Sequence, residues 1–203
     1  TTSVTISNNV WDNIGADLPA PPSDHWAAFE VDRAKNVFVF NNTVDDVAMG
    51  KYEGQCAQLW NINSLSVHNN TFSNCKQMGI WLASVNGGTT GGSINDNCIF
   101  DNGPTATGPG ITVVDAAPVS DPFDIEDNWW GAADGPGSIG PGSGDTIAAT
   151  IGKVDFTGWA VTSGVCAAPA VPGTSTWGNA ILMLLLLGGL LLATRGSFLL
   201  RAA

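Results

Sequence analysis

Apolar and polar residues alternate with a period of two in short bursts through the first two thirds of the chain, and the bursts recur. They align on Asn9, Asn42, Asn70, Asn97 and Asn128. Three positions earlier stands an apolar residue each time: Ile6, Val39, Val67, Ile94 and Ile125. Two positions later stands another: Trp11, Val44, Phe72, Ile99 and Trp130. Five positions earlier the residue is Val4, Val37, Leu65 or Phe123, with Gly92 the exception. The position just before is Asn8, Asn41, Asn69, Asp96 or Asp127. The units lie 33, 28, 27 and 31 residues apart. A period of two inside each unit predicts strands, and the long-range recurrence predicts a stack of β units, not a helical array.

Each period holds a second apolar run: Trp26 to Val31, Leu59 to Ile62, Gly79 to Val85 and Gly110 to Val114. Turn-forming residues follow each run, so one period contains at least two strands and two or three turns. Copies this far apart in sequence cannot form hairpins with one another. They can lie directly over one another as parallel strands about 4.8 Å apart if each period makes one full coil. The apolar positions then form internal columns, and one coil alone cannot bury its face. Insertions at Gly15–Ser23, Asp45–Gly54, Gly87–Gly92, Gly103–Gly108 and Gly131–Asp145 are rich in Gly, Pro and Asp and read as surface loops.

The aligned asparagines have their own physics. Asn tolerates the left-handed region required at a tight bend. Its amide both donates and accepts, so stacked copies can bond one another along the column. Two of the five also fall in N-x-T sequons, Asn41-Asn42-Thr43 and Asn69-Asn70-Thr71. A ladder accounts for all five copies, a sequon for two.

Composition narrows the function. Of 203 residues, 18 are acidic and 7 basic. All the acids lie at or before Asp155, against five bases there: Arg33, Lys35, Lys51, Lys76 and Lys153. Nucleic-acid binding needs clustered Lys and Arg on phosphates, so an acidic body of this kind argues against it. The four cysteines, Cys56, Cys75, Cys98 and Cys166, contain no CxxC pair. They allow either disulfides, with three pairings open, or buried thiols in a β core.

The repeats resemble right-handed parallel β-helix proteins of the pectate-lyase-like superfamily, especially Asp127-Asn128-Trp129-Trp130-Gly131, Gly135-Pro136 and Val154-Asp155-Phe156-Thr157-Gly158-Trp159. In bacterial surface proteins of this kind, such a segment precedes the closing strand near the end of the helix. The resemblance covers roughly residues 1–160 and implies an all-β, right-handed, single-stranded parallel β-helix of about five to six coils.

The C-terminal part differs. Ala168 to Thr176 reads as a linker, and Ala180 to Ala193 is an unbroken apolar run. From Trp177 to Thr194 the chain is uncharged, long enough as a helix to cross about 27 Å of bilayer core. Trp177 suits one interface, and Arg195 favours a cytoplasmic end. Val171, Pro172, Ser175, Trp177, Gly178 and Arg195 resemble the IPTL-CTERM signal of the wider PEP-CTERM group of Gram-negative bacteria, departing from it at Gly173, Thr174 and Thr176. That resemblance implies an exosortase-type sorting partner, an inner-membrane intermediate, and delivery to the cell surface or beyond. The expected organisation is a β-helix domain at 1–166, a linker at 167–176, a transmembrane sorting helix at 177–195 and a short cytoplasmic tail at 196–203. Thr1-Thr2-Ser3 leads straight into the first strand pattern, so an exported protein is expected to carry an N-terminal address, and further coils, ahead of residue 1.

Candidate chemistry is sparse. A lyase needs a base beside calcium-holding carboxylates, and a hydrolase needs carboxylates facing across a groove. Asp45 and Asp46 read as turn residues entering a loop. Glu30 and Asp32 alternate along a strand and point outward together, with Arg33 and Lys35 beyond. His25 and His68 are isolated. No catalytic residue and no resident cofactor is assigned. Calcium is a minor candidate, since Asp134-Gly135 and Asp145 fall in one acidic loop. Trp130 belongs to the core column, leaving Trp129, Trp60 and Trp81 as candidate sugar platforms. The expected function is a non-catalytic cell-surface or secreted module with an adhesive, structural or glycan-contacting role. The alternative is a polysaccharide lyase or glycoside hydrolase whose catalytic coils lie upstream.

Overall fold

In the computed structural model, residues 3–15, 27–48, 54–83, 91–104, 108–114, 122–149 and 154–166 are described. The period of two becomes strands throughout. Every pairing between them is parallel. The first four rungs contribute three strands each, one more than the minimum expected, because the segment after Asn9, Asn42, Asn70 and Asn97 starts a strand of its own. Sheet A stacks β1 (Ser3–Ser7), β4 (Asn36–Phe40), β7 (Ser64–His68), β10 (Gly92–Asn95), β13 (Phe123–Asp124) and β16 (Val154–Asp155). Sheet B stacks β2 (Val10–Ile14), β5 (Thr43–Val47), β8 (Thr71–Ser73) and β11 (Cys98–Phe100). Sheet C holds β3 (Ala27–Asp32), β6 (Gln55–Trp60), β9 (Met78–Ala83), β12 (Pro109–Val114), β15 (Gly144–Ala148) and finally β14 (Pro136–Ser138). A 3₁₀ turn at Ser163–Val165 ends the described chain.

The aligned columns are the core. Val39, Val67, Ile94 and Ile125 are buried from sheet A, and Val44, Phe72, Ile99 and Trp130 from the sheet B side. Each such side chain contributes roughly 1.5–3 kcal/mol on burial. Gly92 interrupts its column because the chain enters β10 at φ +125, where a Cβ would strike the Leu65 backbone.

The connections are unequal. From sheet A to sheet B the link is always the same two residues: 8–9, 41–42, 69–70 and 96–97. From B to C it runs 15–26, 48–54, 74–77 and 101–108, and from C to A it runs 33–35, 61–63, 84–91 and 115–122.

The two-residue corner carries the asparagine ladder. Asn70 shows the pattern. Its backbone N–H and its Nδ2 donate to Asn97 Oδ1 at 3.0 and 2.9 Å. Nδ2 also donates to Val39 O and His68 O. Its own Oδ1 accepts from the backbone N–H and Nδ2 of Asn42, both at 2.9 Å. The same geometry joins Asn9 to Asn42 and Asn97 to Asn128. The left-handed residue is not the ladder asparagine, as its tolerance for that region suggested, but its predecessor. Asn8, Asn41, Asn69, Asp96 and Asp127 have φ between 55 and 58. Side chains that tolerate this region are therefore needed there, while the ladder residue is chosen for its amide. A second left-handed corner follows at Asn13, Asp46, Asn74 and Asp101, so Asp46 takes the turn conformation read from the sequence, although the loop begins after Val47 and not at Asp45. Asp45 and Asp46 both lie in β5, and Asp45 Oδ1 accepts from Ser73 Oγ and Asn74 Nδ2 in the next rung.

All four cysteines pair, Cys56 with Cys75 and Cys98 with Cys166. The second bridge ties the segment after the last rung to sheet B. The segment 131–145, expected to be one loop, contains β14 and the start of β15.

Asn70→Ala removes the amide from the middle of the column. It removes the acceptor of Asn42 N–H and the side-chain donor of the Val39 carbonyl in a buried setting. The expected loss is about 3 kcal/mol, since each stranded buried group costs about 1–3 kcal/mol. The check is chemical denaturation against the parent chain; an unchanged midpoint would show that the column carries no stability.

Candidate functional site

Sheets A and B expose mostly short polar side chains, with Phe38 the large exposed apolar residue of sheet A. Phe40 stacks on His68, ring centroids 5.4 Å apart, so His68 is a surface strand residue in an aromatic contact. Sheet C differs. Its outward positions follow the strand alternation through Glu30 and Asp32 on β3, Gln58 and Trp60 on β6, Trp81 on β9 and Thr112 on β12. Register places Glu30, Gln58, Trp81 and Thr112 in one column, and Asp32, Trp60 and Ala83 in the next. The outward placing of Glu30 and Asp32 on either side of buried Val31 matches the alternation in the sequence.

The two indoles meet edge to face, 5.5 Å between centroids at 63°, a favourable arrangement of ring quadrupoles. Both are half-buried. Gln58, level with Trp81 in register, is buried, and its Nε2, together with Trp60 Nε1 and Thr112 Oγ1, has no hydrogen-bond partner among the described residues. Buried polar atoms left unpaired are uncommon and mark a place where a polar group is wanted. At the edge, Asp32 accepts from Asn61 Nδ2 at 2.9 Å and pairs with Arg33 at 3.4 Å. Arg33, largely exposed, meets the face through that one ion pair with Asp32. Both acids of the face belong to one strand, and the strands above contribute an amide, indoles and a hydroxyl.

The other predicted positions separate. Trp129 is half-buried beside sheet B, bridged to Cys98, far in register from the Trp60–Trp81 pair. Trp130 is core, as the column implied. Among the described residues no three His, Cys, Asp or Glu side chains converge as a metal group. Asp134 and Asp145, considered for calcium, are engaged separately. The Asp134 carboxylate accepts from the backbone N–H and Oγ of Ser143, which lower its pKa. Asp145 is instead buried. His25 and the sorting positions Val171, Pro172, Ser175, Trp177, Gly178 and Arg195 lie outside the described residues, as does the apolar run before Arg195. Among the described residues no helix is long and apolar enough to cross a membrane.

Asp145 belongs to a second polar column that sequence reasoning missed. Five positions after the ladder asparagine stand Ile14, Val47, Cys75 and Asn102. Asn102 repeats the ladder geometry: its Oδ1 accepts from Cys75 N–H at 3.0 Å, and its Nδ2 donates to Phe72 O at 3.0 Å and Asp145 Oδ2 at 2.8 Å. Asp145 therefore fills an asparagine's place in the next rung. Asn102 is legible as the fifth residue after Asn97, but the long insertion hides Asp145. Burial raises the Asp145 pKa to about 7, against hydrogen bonds from Asn102 that lower it and the nearby Asp101 charge that raises it further.

This arrangement is a parallel β-helix of three sheets, with its loops and its aromatic pair gathered at sheet C. The right-handed beta helix region family matches residues 2–129, and the chain belongs to that family. Searches of curated proteins and of solved structures found no match.

The folded state holds a proton on Asp145 more tightly than the unfolded chain does. Stability therefore falls as pH rises from about 4 to 7, as the unfolded carboxyl ionises and the folded one stays neutral. Asp145→Asn should stabilise the protein at pH 8, with the difference vanishing near pH 4. Thermal midpoints across that range test it; a pH-independent difference would place the effect elsewhere.

Proposed function

We propose that this chain is a non-catalytic, exported β-helix module that contacts polysaccharide through the outward face of sheet C and is sorted through its C-terminal apolar segment. The observation that carries the reading is the edge-to-face Trp60–Trp81 pair, two half-buried indoles on the outward side of sheet C. Indole faces stack on the apolar faces of sugar rings, and amide, hydroxyl and indole N–H groups match sugar hydroxyls. Three rungs of this face, at the strand spacing of about 4.8 Å, set a repeat along which an extended chain can lie.

Two observations support export. Both cysteine pairs are disulfides, which persist in oxidising compartments and are rare in the cytosol. The tail beyond 170 has the order of a sorting signal: a Val-Pro and Trp-Gly segment, an apolar run, then Arg195. The Asp32–Arg33 pair and the absence of an acid from the outward positions of β6 and β9 favour a binding face over a lyase or hydrolase centre here.

Affinity electrophoresis through gels containing neutral or uronic-acid polysaccharides tests the face. The intact protein should be retarded by at least one, and Trp60→Ala with Trp81→Ala should weaken retardation about tenfold while the thermal midpoint confirms folding. Equal mobility of parent and variant in every gel would sink the reading. Separately, deleting residues 177–203 should move the protein from the membrane to the soluble fraction; retention in the membrane would refute the anchor.

A further inference from the structure

The triplet Asn-Asn-Thr occurs twice, at 41–43 and 69–71. The acceptor of an N-x-T sequon is its first residue, so in both triplets the ladder asparagine is only the spacer. Ladder and sequon thus make separate demands on separate side chains. Asn42 and Asn70 are closed to modification: both are buried, and each Nδ2 donates to two backbone carbonyls and to the Oδ1 of the next rung. Asn41 and Asn69 stand outside that column. They form the left-handed apex of the corner between sheets A and B, at φ 55 and 56. Asn69 is exposed and Asn41 half-buried. Asn69 Nδ2 meets His68 Nδ1 at 3.1 Å, and Asn41 Nδ2 meets Asn8 Oδ1 at 3.5 Å, both at the surface. A substituent on either nitrogen displaces a solvent-exposed contact and leaves the ladder whole.

The threonines supply the other half of the site. Six described asparagines have a left-handed backbone: Asn8, Asn13, Asn41, Asn61, Asn69 and Asn74. Two places on stand Val10, Gly15, Thr43, Asn63, Thr71 and Lys76 in that order. Only Asn41 and Asn69 have the hydroxyl. Thr43 and Thr71 open β5 and β8 and pair with each other in register. Both triplets therefore lie on one edge of the molecule, a strand spacing of about 4.8 Å apart.

We propose that Asn69 is an N-glycosylation site, with Asn41 a lesser one, taking sugar from a donor activated by a diphosphate. Asn69 Nδ2 bonds to the anomeric carbon of the donor. The bond from that carbon to the diphosphate oxygen breaks, and the diphosphate leaves with the electron pair. The amide nitrogen gives up one proton to the transferase, and nothing is oxidised or reduced. Asn69 leads because its amide is the more exposed, and a glycan on it crowds Asn41 one rung below. The donor is a nucleoside-diphosphate sugar or a lipid-diphosphate oligosaccharide, which share this leaving group.

Tryptic mapping of the full chain, isolated from the cells that make it, tests the site. Cleavage after Lys35, Lys51 and Lys76 puts Asn41 in peptide 36–51 and Asn69 in peptide 52–76. Mass spectrometry should find sugar on 52–76 and a smaller occupied fraction on 36–51. A single sugar marks the nucleotide donor, a whole oligosaccharide the lipid-linked one. Two substitutions have precedents within the chain. Thr71→Val brings in the residue found at Val10 in the first rung, and Asn69→Asp the residue found at Asp96 and Asp127. Both variants should keep the parent's thermal midpoint, and each should lose the sugar on 52–76. A bare 52–76 peptide in the parent chain overturns the proposal. So does sugar that persists in Thr71→Val, or sugar that persists in Asn69→Asp, which would place it on a hydroxyl.

Discussion

One buried amide per rung holds this structure in register. The inner ladder asparagines, Asn42, Asn70 and Asn97, each satisfy a backbone carbonyl in their own rung and another in the rung below, and pass two donors to the rung above. A hydrogen bond formed this way contributes only about 0.5–1.5 kcal/mol, but a buried partner left without it costs about 1–3 kcal/mol. The asymmetry favours one alignment steeply. A slip of one residue would strand several donors at once and turn every apolar column to the outside. The two-residue corner between sheets A and B is therefore invariant in length through four rungs.

The same logic explains where the column is varied. Toward the C-terminal end, the position five residues past the ladder changes from Ile14 and Val47 to Cys75 and Asn102, and Asp145, displaced by an insertion, continues the column. The apolar core yields there to a bridge and then to a short polar column. A carboxylate at the end of that column has no proton of its own to give once ionised, and burial raises its pKa to about 7, so the column there responds to pH near neutrality. Trp159 then closes the main column with bulk in place of an amide.

The five asparagines and their flanking apolar positions were legible because local spacing and long-range spacing agree: each residue's neighbours in sequence predict its neighbours above and below. The parallel stack, the buried role of Trp130 and the outward pair Glu30 and Asp32 follow from that pattern. The left-handed corner was assigned to the ladder asparagine when it belongs to Asn8, Asn41, Asn69, Asp96 and Asp127. Asn and Asp suit both roles, and composition cannot separate tolerance of a backbone angle from supply of an amide. Asp145 escaped because the insertion before it destroys the count that finds Asn102. The union of Trp60 with Trp81 depends on the register of β6 against β9, which places Gln58 beside Trp81 and Trp60 beside Ala83. That register runs through connections of changing length. Cysteine pairing likewise required knowing which rungs touch.

The unequal connections divide the molecule's circumference. The corner between A and B is two residues in all four rungs, while the B-to-C connection ranges from four residues to twelve and the C-to-A connection from three to eight. A longer excursion adds little closure entropy, since each doubling of a loop costs only about 0.6 kcal/mol, and it shifts no rung because the ladder lies on the far side. Change in loop sequence is thus insulated from the scaffold and concentrated around a single face. A lineage of such chains can acquire new surface chemistry beside sheet C by accretion, without renegotiating how its coils stack.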